Sequence, residues 1–237
     1  DKMPNVKVIS RCGVGMSNVD VEYAKNRNIS VFNTPDGPTV AVAEMTVGLM
    51  IDLIRHISNS DRTMRQGQWN KKMGNLLHGK NIGIIGFGQI GQAVASLLSS
   101  FGVHIAVCDI KDKDVPGHIQ KMSLNELLPW ADVLTLHIPS RADGQPLIAK
   151  KELAKMKKGG WLLNLSRGDV LDEKALYEAL KGGHLAGAAL DVYQEEPYRG
   201  QLANLENIIL TPHIGSYAVE SRIHMEIQAV NNLINGL

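Results

Sequence analysis

Three stretches late in the sequence hold side chains that form a chemical set. Arg167 sits in Ser166-Arg167-Gly168-Asp169, an acid in Glu195-Glu196-Pro197, and His213 in Thr211-Pro212-His213-Ile214-Gly215-Ser216. An imidazole beside a carboxylate can hold and deliver a proton near neutral pH. A guanidinium can grip carboxylate and carbonyl oxygens in a fixed fork. A proton donor and a cationic clamp are what a 2-oxo acid needs in order to be reduced, once a hydride source is added. Chemistry alone does not separate Glu195 from Glu196, and a solvated acidic turn would explain either one.

The hydride source is written in an earlier stretch. The apolar run Ile82-Gly83-Ile84-Ile85 breaks into Gly86-x-Gly88-x-x-Gly91, and apolar residues then recur at helical spacing from Ile90 to Phe101. Strand, glycine turn and helix in that order are the context that makes the triplet a dinucleotide fingerprint. Gly86 allows a tight turn, Gly88 lets backbone approach a pyrophosphate, and Gly91 lets helix and strand pack closely. The helix N-terminus offers N–H groups and a positive dipole end to the phosphates. A second strand, His104–Cys108, runs into Asp109, 18 positions past Gly91. A carboxylate there accepts the adenosine ribose hydroxyls and repels a 2′-phosphate, which favours NAD over NADP.

The elements that must position these groups alternate. Val6–Ile9 and Ile29–Phe32 read as strands around a helix from Asp20 to about Asn26, with the loop Arg11–Asn18 between strand and helix. A single long helix is expected over 39–65, apolar on more than one face, which suits burial between domains or subunits, with a core helix of a monomer as the alternative. A basic, glycine-containing stretch from Lys71 to Lys80 suggests a domain junction near His78. Further strands are expected at 133–137, 161–165, 184–192 and 208–211. Helices are expected from Ser123 (with capping-box spacing to Glu126), over 150–158, 172–181 and 218–237. Alternation of this kind implies a Rossmann-type, doubly wound α/β fold with a parallel sheet and right-handed crossovers. In such sheets ligands bind beyond the carboxyl ends of the strands. The glycine turn, Asp109, Ile138-Pro139, Leu165-Ser166-Arg167, Asp191, the glutamate pair and His213 all fall there.

Composition narrows the class of function. Of 237 residues, 44% are hydrophobic and 21% charged, with a net charge of +1, so no strong field points to nucleic acid or an anionic membrane. No apolar run is long enough to span a bilayer. Cys12 and Cys108 lie on unrelated segments, as expected of a reduced cytoplasmic protein without a signal leader, and no metal-ligand spacing occurs.

Taken together, these residues resemble the D-isomer-specific 2-hydroxyacid dehydrogenase family, nearest its phosphoglycerate dehydrogenase branch. The marks are Arg11-x-Gly13-x-Gly15-x-x-Asn18-x-Asp20, Asn33-Thr34-Pro35, Ala43-Glu44, the glycine triplet, Asn164-x-Ser166-Arg167-Gly168, Ala189-Leu190-Asp191-Val192, Glu196-Pro197 and Thr211-Pro212-His213-Ile214-Gly215. The resemblance implies hydride transfer between NAD and C2 of a small D-2-hydroxy or 2-oxo acid such as phosphoglycerate, hydroxypyruvate or glyoxylate. It matches the catalytic residues to Arg167, Glu196 and His213, choosing Glu196 because the family acid directly precedes the proline. It implies that the cofactor meets Gly86, Gly88, Gln89, Ile90, Gly91, Asp109, Ile138, Pro139, Leu165, Ser166, Arg167, Asp191, His213, Ile214, Gly215 and Ser216. Substrate would be held by Arg167 and the backbone of Val14 and Gly15, with Arg11, and more weakly Lys71 and Lys72, as candidates for a substrate phosphate.

The family also implies a second, flavodoxin-like substrate or lid domain, here residues 1–75 and 217–237 and only partly present, against an NAD-binding domain over 76–216. A homodimer built around helix 39–65 is implied too. The chain departs from the family pattern at Ser17, where Asp is usual. A non-enzymatic NAD(H)-sensing scaffold of the co-repressor type, which shares the fold and the Arg/Glu/His set, is the rival reading. An adenosylhomocysteinase-like enzyme would need a larger substrate domain.

Overall fold

A computed structural model describes residues 5–16 and 18–237; Ser17, the point of departure from the family pattern, lies outside them. The chain divides by packing into two compact units: a smaller one from residues up to Val42 and from Gly215 to Leu237, and a larger one over Ala43–Ile214.

The smaller unit holds strands β1 (Val8–Ser10) and β2 (Ser30–Phe32), which pair in parallel, with helix α1 (Val21–Asn26) between them. Asp20 caps α1 by accepting the Tyr23 N–H at 2.8 Å. The C-terminal helix α8 (Val219–Gly236) closes over this pair. A Cβ on Gly236 would come within 3.0 Å of Val8 and Phe32 side-chain atoms, so glycine permits that approach.

Helix α2 (Thr39–Arg55) starts in the smaller unit and continues into the larger one, followed by α3 (Ile57–Arg65). One unbroken helix was expected here. Instead His56 adopts a left-handed conformation (φ 58°), and Asp52 turns back to accept the Ser58 N–H at 2.7 Å and the Ser58 hydroxyl. The Asp52 carboxylate thus supplies acceptors for the start of α3, a competition with helix continuation that apolar spacing does not reveal. Val47, Met50, Leu53 and Ile54 of α2 are buried within the chain.

The larger unit is a seven-stranded parallel sheet in the order β5-β4-β3-β6-β7-β8-β9. Its strands are β3 (Asn81–Ile85), β4 (His104–Cys108), β5 (Ile119–Lys121), β6 (Val133–Leu136), β7 (Gly160–Asn164), β8 (Leu185–Leu190) and β9 (Ile208–Leu210). Helices α4 (Gln89–Leu98), α5 (Leu124–Trp130), α6 (Lys150–Lys155) and α7 (Glu173–Lys181) make the crossovers. The central strands are buried along their whole length, as expected of a parallel sheet covered on both faces. Asp172 caps α7 through the Ala175 N–H (3.0 Å), and the Ser123–Glu126 capping box starts α5. The expected strands all form; those expected at 133–137, 161–165, 184–192 and 208–211 end a residue or two earlier, and β1 ends one residue later. The edge strand β5 was not anticipated, because with three residues and one buried side chain it carries no periodic signal.

The division between units also falls elsewhere than expected. Residues 43–75 pack with the nucleotide-type sheet: Leu53 lies against Gly187 of β8, and the Asn75 N–H donates to the Ile54 carbonyl at 2.9 Å. The Gly79 N–H donates to the Gly102 carbonyl at 2.8 Å. The basic, glycine-bearing stretch is therefore a loop sewn to one unit, and composition alone marks a loop without saying which body holds it. No described helix is long and apolar enough to cross a membrane, no cluster of potential metal ligands occurs among the described residues, and both cysteines are free.

Candidate active site

Strand order reverses between β3 and β6, where ligands of doubly wound sheets bind. Beyond β3 comes the glycine turn. Gly86 has φ 90°, and a Cβ on it would lie 2.3 Å from the His137 carbonyl oxygen. A Cβ on Gly91 would lie 2.1 Å from the Gly86 carbonyl oxygen. Gly88 differs: a Cβ there would meet nothing within 4 Å. The chain does not need a glycine at 88 for its own packing, and the open space beside it can serve as a cradle. Gly88 is also the N-cap of α4 and brings no side chain to that helix end, a terminus of the kind that suits an anion.

Beyond β4, Asp109 is held from three directions. Oδ2 accepts the Phe87 N–H of the glycine turn (2.7 Å) and the Lys113 ammonium (3.0 Å), and Oδ1 accepts the Lys111 N–H (2.9 Å). Burial works against its charge, but the Lys111 and Phe87 amides and the Lys113 ammonium outweigh it and keep the carboxyl below its ordinary range. With about four acceptor positions on a carboxylate, Oδ1 is the oxygen left for an outside hydroxyl. A cleft of about 360 Å³ opens here, lined by Phe87, Asp109, Ile110, Lys111, Lys113 and Lys121 among others, with Ile110 fully exposed. Lys113 was not anticipated; a lysine four positions past Asp109 in a polar loop carries no signal of its own.

On the other side of the switch point, Ile138-Pro139 follows β6. Leu165-Ser166-Arg167 follows β7 and is set by the buried Asn164, whose Oδ1 accepts the Ser166 N–H and hydroxyl (3.0 and 2.8 Å) while its amide donates to the Arg167 carbonyl (2.8 Å). The Arg167 side chain is half-buried, with Nη1 donating to the Ser166 carbonyl at 2.6 Å. A Cβ on Gly168 would overlap the Tyr193 carbonyl at 1.8 Å, so the arginine turn and the segment leading to Glu196 pack backbone to backbone.

That contact matters for the acid. Glu196 Oε1 accepts the Tyr193 N–H at 3.2 Å, and Oε2 meets His213 Nδ1 at 2.8 Å. Glu196, not Glu195, therefore faces the histidine. Tyr193 anchors the segment by donating its hydroxyl to the carbonyls of Leu190 (3.1 Å) and Thr211 (2.8 Å), a role the sequence did not announce. The buried Asp191 accepts the Thr211 hydroxyl (2.6 Å) and the Ile214 N–H (2.8 Å) through one oxygen, gripping the turn on both sides of His213. His213 itself sits in a left-handed conformation, φ 54°. Because a carboxylate only accepts, Nδ1 is the donor in this contact.

A protein-family model described as D-isomer specific 2-hydroxyacid dehydrogenase, NAD binding domain, matches residues 47–215. The chain is 43% identical over 246 residues to a glyoxylate reductase of Thermofilum pendens, covering 99% of this chain and 73% of that one. It is 40% identical to a D-3-phosphoglycerate dehydrogenase of Methanocaldococcus jannaschii, covering 94% of this chain but 44% of the relative. Among solved structures, an NADPH-dependent glyoxylate/hydroxypyruvate reductase from Sinorhizobium meliloti, in complex with NADP and malonate, superposes with a TM-score of 0.90 at 34% identity, over 97% of this chain and 74% of that one.

The chain belongs to the D-isomer specific 2-hydroxyacid dehydrogenase family.

As a member of that family it is an NAD-dependent oxidoreductase, and the residues present fit the cofactor. The open cradle at Gly88, the uncapped start of α4 and the anchored Asp109 are suited to a pyrophosphate and a ribose. Of the remaining expected contacts, Lys71 and Lys72 lie in the larger unit and the others in the smaller one. Gly215 and Ser216 begin its second segment. Arg11, Val14 and Gly15 lie in the loop after β1, which β2 and its extension pin down. The Gly13 N–H donates to Thr34 Oγ1 (2.6 Å), the Thr34 N–H to the Gly13 carbonyl (3.1 Å), and Asn33 Nδ2 to the Val14 carbonyl (2.9 Å). Val14 is exposed, and Gly13 (φ 135°) lies directly against the Arg11 guanidinium.

Proposed function

We propose that the protein interconverts a small 2-oxo acid and its D-2-hydroxy acid, with His213 as acid–base, Glu196 as its partner and Arg167 as the substrate clamp. The observation that carries this is the 2.8 Å contact between Glu196 and His213 Nδ1, which leaves Nε2 free for proton exchange. Bound nicotinamide cofactor supplies or accepts the hydride. His213 Nε2 gives its proton to the carbonyl oxygen during reduction and takes one back in the reverse direction. Glu196 fixes the ring and balances the charge of the imidazolium form. Arg167, on the turn that packs against the Glu196 segment, holds the substrate carboxylate. Asp109 takes a ribose hydroxyl. Glyoxylate, hydroxypyruvate and the phosphoglycerate couple are the candidates, because relatives named glyoxylate reductase, hydroxypyruvate reductase and D-3-phosphoglycerate dehydrogenase each align along nearly the whole chain.

NADH consumption across glyoxylate, hydroxypyruvate, phosphohydroxypyruvate, pyruvate and a branched-chain 2-oxo acid tests the reading. One acid should turn over, and His213→Ala should cut kcat by about 10²–10⁴-fold while NADH still binds. Binding of NADH with no turnover of any acid would favour the nucleotide-sensing scaffold instead. We further propose a homodimer through the α2–α3 region, where Ile57, Met64, Trp69 and Met73 expose apolar surface. A monomeric mass in solution would refute it.

A further inference from the structure

We propose that Lys113 is a positioning residue that sets how strictly the cofactor site separates NADH from NADPH, by bracing Asp109 and offsetting its charge where a 2′-phosphate would lie. The inference rests on the reading of Asp109 as the ribose acceptor.

The geometry is a three-way tie. One ammonium donates both to Asp109 Oδ2 (3.0 Å) and to the carbonyl of Phe87 in the glycine turn (2.8 Å), while the Phe87 N–H donates to the same Oδ2. Lys113 therefore joins the ribose-side acid to the phosphate-side loop. Removing it leaves the two backbone amides holding Asp109 but releases the carboxylate from its cation.

The charge effect follows from the same contact. An isolated Asp109 would repel a 2′-phosphate strongly at a few ångströms in a half-buried cleft. With the ammonium at 3.0 Å, the pair presents little net charge. The cleft as a whole carries Lys111, Lys113 and Lys121 against Asp109 and Asp112, an excess of one positive charge. Lys121 is committed to Asp112 at 2.7 Å. Lys113 is reachable as well, since 30% of its side chain is accessible against 14% for Asp109. A lysine head is a point charge on a rotatable stem, able to leave the Phe87 carbonyl and follow an incoming phosphate. The acid excludes the 2′-phosphate and the lysine beside it moderates that exclusion.

Titration of the purified protein with NADH and with NADPH, read by cofactor fluorescence, tests this. Lys113→Met should weaken NADPH binding by about tenfold or more and NADH by at most about threefold, so the preference for NADH widens. Lys113→Gln should act alike, and Lys113→Arg should restore the parent ratio. Asp109→Ala should bring the two affinities together, mainly by strengthening NADPH, and Asp109→Ala with Lys113→Met should lose that gain. If Lys113→Met and Lys113→Gln shift both dissociation constants by one common factor, or shift neither, the proposal is overturned. If Asp109→Ala leaves NADH binding unchanged, the ribose assignment itself falls, a different result from a failure at Lys113 alone.

Discussion

Two contacts in the larger unit, each between a carboxylate and a basic side chain beyond the carboxyl end of a strand, are built in opposite ways. Glu196 and His213 meet at 2.8 Å with 38% and 53% of their side chains accessible. Asp109 and Lys113 meet at 3.0 Å with 14% and 30% accessible, and two backbone amides hold the acid as well. A contact as open as the first adds little to stability. What surrounds it is rigid instead: Asp191 and Tyr193 fix the turns that present the two side chains, and His213 is kept in a left-handed conformation. The second pair is fixed by its own contacts. On the proposed reading the difference has a reason: a proton-transfer group must stay open to substrate and be positioned from behind, whereas a recognition group works by holding still.

The comparison can be broken in several places. The largest effect should come from a third region, between the two pairs in sheet order. His137 follows β6, with Nε2 against Thr135 Oγ1 (3.0 Å) and a buried Nδ1 that has no partner. Burial lowers its pKa from 6.5 to about 4. The unfolded chain therefore binds a proton that the folded chain refuses as the pH falls from 6.5 towards 4. Stability is complete above that window and declines through it, by at most roughly 3 kcal/mol. His137→Gln should flatten the pH dependence of the unfolding temperature across this range; an unchanged slope would assign the loss to other groups.

Next in size is Glu196→Gln, which keeps the shape of the acid and removes its charge. It should lower kcat by about 10- to 100-fold with NADH affinity unchanged, as steady-state rates and cofactor titration would show. A parent-like rate would mean that the open pair is only a surface contact.

The smallest expected effect, yet the sharpest test of the cofactor end, is Gly88→Ala. Nothing lies within 4 Å of the added methyl, so the unfolding temperature should stay within a degree or two while NADH binds about tenfold more weakly. Unchanged affinity would remove the pyrophosphate from that cradle. Gly91→Ala is the contrast: its methyl would strike the Gly86 carbonyl, so stability falls along with binding.

What the sequence determined by itself is local or follows from the parallel topology. The glycine triplet between an apolar run and a helical pattern, the caps at Asp172 and Ser123, and the strand stops at Pro139 and Pro212 each depend on residues a few positions apart. Once the strands are parallel, their carboxyl ends share one edge, which is why Asp109, Arg167, Asp191 and His213 could be grouped before any coordinates. Other features depended on tertiary structure. The choice of Glu196 over Glu195 required either a family likeness or the backbone contact of Gly168 with Tyr193, 25 residues apart. The break at His56, the edge strand β5, the attachment of residues 43–75 to the larger unit and the brace from Lys113 to Phe87 left no pattern in their neighbours. Each is decided by which surfaces meet across the fold: spacing along the chain records what one element prefers, and a carboxylate chooses among lysines, amides and histidines only when packing has brought them within 3 Å.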